Sequence, residues 1–355
     1  MALGPDPATR TVLHGELRMS RCLVTIAVLV AALLQGCALA QNGPQVGAKS
    51  RTNTLPRCQG APRCRPSFVA RLKYAPFPIG KNDDGRGRLF FREKDSDTGA
   101  RVRVARNGER YPEPDHYANP SVLFHIPRHF KRDKPFRVVV YFHSHETALD
   151  PGIVDSGLLE QIDASGANVV LIVPQLAYLA VDSHPGKLMR AGGLERMLNE
   201  AAGVLARTLG RNMRPRLARA PVVLIAFSGG DVALAAGLQE RKRPSVGGGF
   251  VNRIEGIILL DAVFEQMRHI DAWLRPRAGR VFLVGLYGRL SARWTGRLIR
   301  RWKARRLRYR RFLPDRILRG SVVLVRVDTE HAAIMSEGPP RDPIAEILKS
   351  LPPPH

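Results

Sequence analysis

Pro221 to Gly237 reads PVVLIAFSGGDVALAAG, and its structural period changes partway along. Val222 to Ile225 is an unbroken run of branched apolar residues, as a strand buried on both faces requires. From Asp231 to Leu238 small and apolar residues recur at helical spacing. Between them Ala226-Phe227-Ser228-Gly229-Gly230 has to turn the chain sharply. Such a turn brings the backbone close to itself two residues either side of its apex, and Ala226 and Gly230 are small there. Ser228 is left at the tip, with the backbone N–H of Gly229 facing the same space, which is the arrangement of a nucleophile elbow. An ordinary strand-to-helix turn with a helix-capping serine fits the same residues. The stretch alone does not choose between the two.

Working outward, the same alternation recurs on both sides. Strands are expected at Ser121 to Ile126, Arg137 to Phe142 (RVVVYF) and Asn168 to Pro174 (NVVLIVP), with helices at Gly157 to Ala164 and Gly193 to Leu209. Beyond Gly237 come a strand at Ile254 to Leu260 (IEGIILL), a helix about Phe264 to Leu274 and a strand at Val281 to Tyr287. A long basic helical region, a strand at Ser321 to Val327 and a helix at Pro343 to Leu351 follow. Ser67 to Asp115 is turn-rich, with short candidate strands at Arg88 to Arg92 and Ala100 to Ala105. Continuous apolar strands separated by helices predict an α/β fold, a mostly parallel, doubly wound sheet with helices on both faces. In such sheets ligands sit outside the carboxyl ends of the strands.

Those ends carry His143-Ser144-His145, Gln175, Ser228, Asp261 and His331. A serine hydroxyl is a weak nucleophile unless a base lies within hydrogen-bond reach. The base in turn needs a third group to fix its tautomer. Ser228, His331 and Asp261 are able to fill these roles. Asp261 also fits a helix N-cap before Ala262, Asp328 is a local competitor as the acid, and His331 fits a plain loop histidine.

At this point the chain resembles the α/β-hydrolase superfamily over roughly Ser121 to Leu351. The resemblance rests on the order of elements, an A-x-S-x-G form of the G-x-S-x-G elbow, and Ser, Asp and His in that chain order. Exported bacterial members of that superfamily have similar stretches at DASGANVVLIVPQLA, AFSGGDVALAAG and IILLDAVF. The resemblance implies an acyl-transfer hydrolase, and it places the catalytic residues at Ser228, Asp261 and His331. Its oxyanion hole would pair the backbone N–H of Gly229 with that of Ser144 or His145. Two departures stand out. Many members carry the acid after the penultimate strand, where this chain has Gly288-Arg289-Leu290, and many have His-Gly where this chain has His143-Ser144-His145. The His-x-His also suits a metal, with Glu146 or Asp150 as a third ligand, but no second cluster with ligand spacing follows. No cofactor and no metal are expected.

The 355 residues, 44% of them hydrophobic, are enough for one large domain. Arg18 and Arg21 precede an apolar run from Cys22 to Leu34, short for a membrane span and suited to a signal-peptide core. Residues 1–40 are therefore expected to be an export signal, and Met19 makes the first eighteen a candidate mis-called start. Leu34-Gln35-Gly36-Cys37 resembles a lipobox that would anchor the protein through Cys37, while Ala38-Leu39-Ala40 suits ordinary cleavage and a periplasmic product. Residues 41–66 read as a tether holding a Cys58–Cys64 disulfide, and residues 67–355 as the catalytic domain.

The formal charge of +25 comes from 56 Lys and Arg against 31 Asp and Glu. It suits an anionic partner, and it equally suits a genome rich in arginine codons. Arg289 to Arg319 holds thirteen of the basic residues and one acid, with Leu290, Trp294, Leu298 and Trp302 at every fourth position. A basic insertion over 288–319 could cap the site, lie on an anionic membrane, bind an acidic glycan, or simply be a solvated helix. Nucleic acid is not expected. The function expected is an exported serine hydrolase cleaving a small-molecule or envelope ester, less readily an amide. The alternative is a non-catalytic cationic envelope lipoprotein of the same fold.

Overall fold

The computed structural model describes residues 67–105, 107–239, 250–337 and 340–354. The signal segment, Cys37, the tether and the Cys58–Cys64 pair lie outside them. Among the described residues no helix is long and apolar enough to cross a membrane.

Eleven strands are described. The main sheet contains β1 (Ser67–Arg71), β5 (Ser121–His125), β6 (Arg137–Phe142), β7 (Val169–Pro174), β8 (Val222–Phe227), β9 (Ile254–Leu260), β10 (Phe282–Tyr287) and β11 (Val322–Arg326). Their order is β1-β5-β7-β6-β8-β9-β10-β11. β5 runs antiparallel to both β1 and β7, and from β7 to β11 every pairing is parallel. The third and fourth strands of this sheet exchange places in space. The chain therefore leaves β6 for β7 on one side and returns to β8 on the other. That reversal splays the connections apart at the carboxyl ends of β6 and β8, where a doubly wound sheet opens its crevice.

Eight helices cover the sheet and its rim: α1 (Glu113–His116), α2 (Leu158–Ala164), α3 (Gly193–Leu209), α4 (Arg214–Arg219), α5 (Asp231–Leu238), α6 (Met267–Leu274), α7 (Ala292–Ala304) and α8 (Pro343–Lys349). The strands read as continuous apolar runs because both faces are buried. Val138, Val140, Leu224 and Ile257 join one core with α3, α5, α6 and α7, while Val139, Tyr141, Ile225 and Ile258 join a second core with α2 and α8. This is the two-residue alternation of a strand read on both sides at once.

The N-terminal region follows the expectation in part. Arg88 to Arg92 is not a strand: the Asp84 carboxylate takes the backbone N–H groups of Arg86 and Arg88 and closes a turn. The other candidate, Ala100 to Ala105, forms β3 (Arg101–Val104), which β2 (Glu93–Lys94) and β4 (Arg110–Pro112) flank in an antiparallel sheet of three. Below it Phe77, Phe90, Phe91, Tyr111 and Tyr117 pack against Ala177 and Ala180, which follow β7. Leaving Ser67–Arg71 unassigned missed β1, whose pairing with β5 extends the main sheet.

The basic region is helical only over Ala292–Ala304. Leu298 and Trp302 are fully buried, whereas Leu290 precedes the helix and is exposed. α7 ends in a Schellman turn, in which the N–H of Leu307 donates to the Trp302 carbonyl and that of Arg306 to the Lys303 carbonyl. The chain then crosses to the free edge of β11, where Arg310 pairs with Val323.

Candidate active site

The ladder delivers the site. Phe227 of β8 lies opposite Leu260 of β9, so Ser228 and Asp261 begin one step past the same rung. Both then leave extended geometry, with φ of 51° at Ser228 and 43° at Asp261. This left-handed conformation costs a non-glycine residue about 1–3 kcal/mol and lifts each side chain off the end of its strand. Past β11 the chain turns back, and His331 enters a short 3-10 turn at Ala332–Met335.

The three side chains form one hydrogen-bonded chain. His331 Nε2 lies 2.8 Å from Ser228 Oγ, and His331 Nδ1 lies 2.7 Å from Asp261 Oδ2. With Nδ1–H donating to the carboxylate, Nε2 is the acceptor for the serine proton. The Phe227 ring stacks on the imidazole, centroids 5.0 Å apart and planes 23° apart, and holds its orientation. The Asp261 carboxylate is 1% exposed while His331 keeps 26%, so the acid is sealed and the serine end faces outward.

Asp261 is held ionised by its neighbours. Burial pushes its carboxyl up, but hydrogen bonds from His331, Ser291 and Gly288 outweigh that and hold it below the usual carboxylate range. Gly288 N–H donates to Oδ1 at 3.0 Å and Ser291 N–H at 3.3 Å, and the Ser291 hydroxyl donates to the same oxygen. The loop after the penultimate strand thus supplies donors to a carboxylate that sits one strand earlier. Asp328 makes no such contact among the described residues.

Glycines bring the two halves of the site together. A Cβ on Gly230 would stand 2.2 Å from the Phe142 carbonyl oxygen, so only glycine lets the elbow close on the end of β6. A Cβ on Gly229 would stand 2.6 Å from His145 Nε2 and 2.7 Å from Ser183 Oγ. The His145 ring and the Ser183 hydroxyl, hydrogen-bonded to each other, therefore form the wall beside the nucleophile. Gly229 N–H lies in a first helical turn, without an intrahelical acceptor. Among the described residues, Ser144 and His145 give their N–H groups to no acceptor either. Burial holds the His145 imidazole below its ordinary pKa, so the ring is neutral at pH 7.

The loop after β6 is braced from beneath. His143 is 1% exposed, and its Nδ1–H donates to the Ser144 carbonyl at 2.7 Å. Its Nε2 accepts from Leu176 N–H at 2.9 Å and faces the Gln175 amide at 3.1 Å. Burial lowers its pKa to about 4. Gln175 in turn donates to the Thr147 carbonyl and accepts from Leu149 N–H. Both His143 nitrogens are thus spent inside the protein, and among the described residues no cluster of metal-ligand type forms.

Ser183 is placed by a separate set of contacts. Asp182 bonds Arg103 Nε at 2.9 Å and the Tyr117 hydroxyl at 3.0 Å, tying the loop after β7 to the small sheet. The structure brings Ser228, Asp261, His331 and the β6 loop together, as their places after strands led one to expect. Sequence reasoning missed Phe227, Ser183 and Ser291, although Ser291 lies close behind the penultimate strand, where the resemblance directs attention.

The sheet order, the antiparallel second strand and the strained serine after the fifth strand together decide the architecture. That architecture resembles the α/β-hydrolase fold. No family model matches the chain, and a search of curated proteins finds no match. Among solved structures, one similar fold is a protein from Capnocytophaga ochracea, 12% identical with a TM-score of 0.36, covering 70% of this chain. This chain spans 62% of that protein, less than two thirds of its length. An S-formylglutathione hydrolase from Agrobacterium tumefaciens is 10% identical with a TM-score of 0.34, over 73% of this chain and 96% of its own. The feruloyl esterase module from Clostridium thermocellum is 9% identical with a TM-score of 0.40, over 71% and 87%.

Proposed function

We propose that this α/β-hydrolase-fold chain is an exported serine hydrolase that cleaves an ester through an acyl-enzyme on Ser228. The observation that carries the reading is the continuous chain from Asp261 through His331 to Ser228, open at its serine end. In acylation Ser228 Oγ attacks the ester carbonyl carbon and its proton passes to His331 Nε2. The Asp261 carboxylate stabilises the imidazolium. The tetrahedral oxyanion takes N–H donors from Gly229 and from Ser144 or His145, and the neutral His145–Ser183 pair borders the same space. Collapse expels the alcohol, which takes the proton from His331. Water then attacks the acyl-enzyme with His331 again as base, releasing the acid and restoring the serine. Export rests on the basic residues and apolar run from Arg18 to Leu34.

Treating the purified protein with a fluorophosphonate probe and mapping the adduct tests the reading. The expected outcome is a single adduct on Ser228. Ser228→Ala should lose labelling and about six orders of magnitude in turnover of an activated ester. Unchanged hydrolysis in Ser228→Ala, or labelling elsewhere only, would reject it.

A further inference from the structure

A cavity of about 610 Å³ opens at the amino end of the sheet, away from Ser228. Val322, the first residue of β11, forms part of its floor with Ala278 and Leu307. His331 follows the other end of that strand, about 13 Å away at 3.3 Å per residue. The cavity is therefore separate from the candidate active site.

Its rim draws on the end of α6, with Arg275, and on the basic chain that follows α7, with Arg305 and Arg308. Asp271 supplies the one carboxylate of the lining, and it is already engaged: Trp302 Nε1–H donates to Oδ1 at 3.1 Å and Arg305 to Oδ2 at 2.6 Å. Among the described residues neither Arg275 nor Arg308 has a carboxylate partner. Three arginines against one aspartate leave a net charge of +2 on the lining of the cavity.

The backbone between Arg305 and Arg308 is itself strained. Arg306 occupies the left-handed position of the Schellman turn with φ of 55°, a place glycine fills at about 1 kcal/mol less cost. The buried Trp302 and the Leu307 side chain behind it anchor the turn, with Arg305 and Arg308 on either side.

We propose that this cavity binds a phosphate monoester, its dianion held by Arg275, Arg305 and Arg308 and its organic part lying on Ala278, Leu307 and Val322. A phosphate monoester carries about two negative charges near neutral pH and presents three oxygens to the paired N–H groups of arginine. The same phosphate chemistry is offered by a soluble ester and by a lipid headgroup, and the test separates them.

Calorimetric titration of the full chain with inorganic phosphate at low salt is paired with flotation on phosphatidylcholine vesicles with and without phosphatidic acid. Phosphate should bind, and the double variant Arg275→Gln, Arg308→Gln should weaken it about ten- to hundredfold. The double variant Arg293→Gln, Arg297→Gln, on α7 outside the cavity, should change it by less than about twofold. Flotation only with phosphatidic acid, competed by phosphate and lost in the first double variant, assigns the site to a lipid headgroup. Phosphate binding without flotation assigns it to a soluble ester. No binding by either assay, or equal loss in both double variants, overturns the proposal.

Discussion

Asp231 and Asp261 are two carboxyl groups near the ends of neighbouring strands, 2% and 0% exposed, and their pKa values are shifted in opposite directions. Asp261 receives donors from an imidazole, a hydroxyl and two backbone N–H groups, and stays ionised. At Asp231 burial is the largest influence and raises the carboxyl well above its ordinary range, against the backbone N–H groups of Phe264 and Val232. Its Oδ2 has no hydrogen-bond partner among the described residues. Both carboxyls are out of contact with solvent, but Asp231 lies deeper and Asp261 takes more donors, so the two shift in opposite directions. A buried acid next to a nucleophile is thus not by itself the acid that serves it.

The largest effect expected from this contrast is at Asp261. Asp261→Asn should lower kcat/KM by about three to four orders of magnitude with the fold retained, because the amide no longer holds the His331 tautomer that accepts the serine proton. Wild-type turnover in that variant would break the contrast. Ser291→Ala removes the one hydroxyl donor and should cost about tenfold in kcat with KM little changed, in line with one charge-assisted hydrogen bond. No change there would mean the backbone donors of Gly288 and Ser291 suffice.

The smallest effect is on stability, and its sign is opposite at the two sites. Asp261, with its folded pKa depressed, contributes stability that is present above about pH 4 and lost as pH falls through the folded value. Asp231, with its folded pKa raised, binds more protons folded than unfolded above about pH 4. Stability is therefore lost as pH rises, at no more than about 1.4 kcal/mol per pH unit. Asp231→Asn should gain stability over wild type between pH 4 and pH 8 in denaturant melts, with ester turnover unchanged at neutral pH. A variant less stable than wild type, by a margin that grows as pH rises, would place an ionised, stabilising carboxylate at Asp231.

Most of the parallel sheet was legible because its strands are buried on both faces and read as unbroken runs such as RVVVYF and IEGIILL. The edges were harder. β1 is half-buried and β2 to β4 are short, so neither gives a long apolar run. The four-residue recurrence of Leu290, Trp294, Leu298 and Trp302 marked α7 but overran it at the front, because Ser291 is held against Asp261 before the helix starts. The helix expected from Phe264 begins at Met267. In the site, Ser228, Asp261 and His331 were legible as reactive residues following strands. Phe227 and Ser183 were not, since their parts depend on a ring stack and on a contact across the crevice that no local pattern encodes.

The packing at Gly229 also constrains the order in which this pocket could change through descent. The residue after the serine is a natural place to alter the shape of the acyl pocket, yet here that space is already taken by His145 and Ser183. A methyl added at 229 first would collide with both. The step becomes passable only after positions 183 and 145 have both been shortened, so the three positions form one unit of variation, with the glycine last to move.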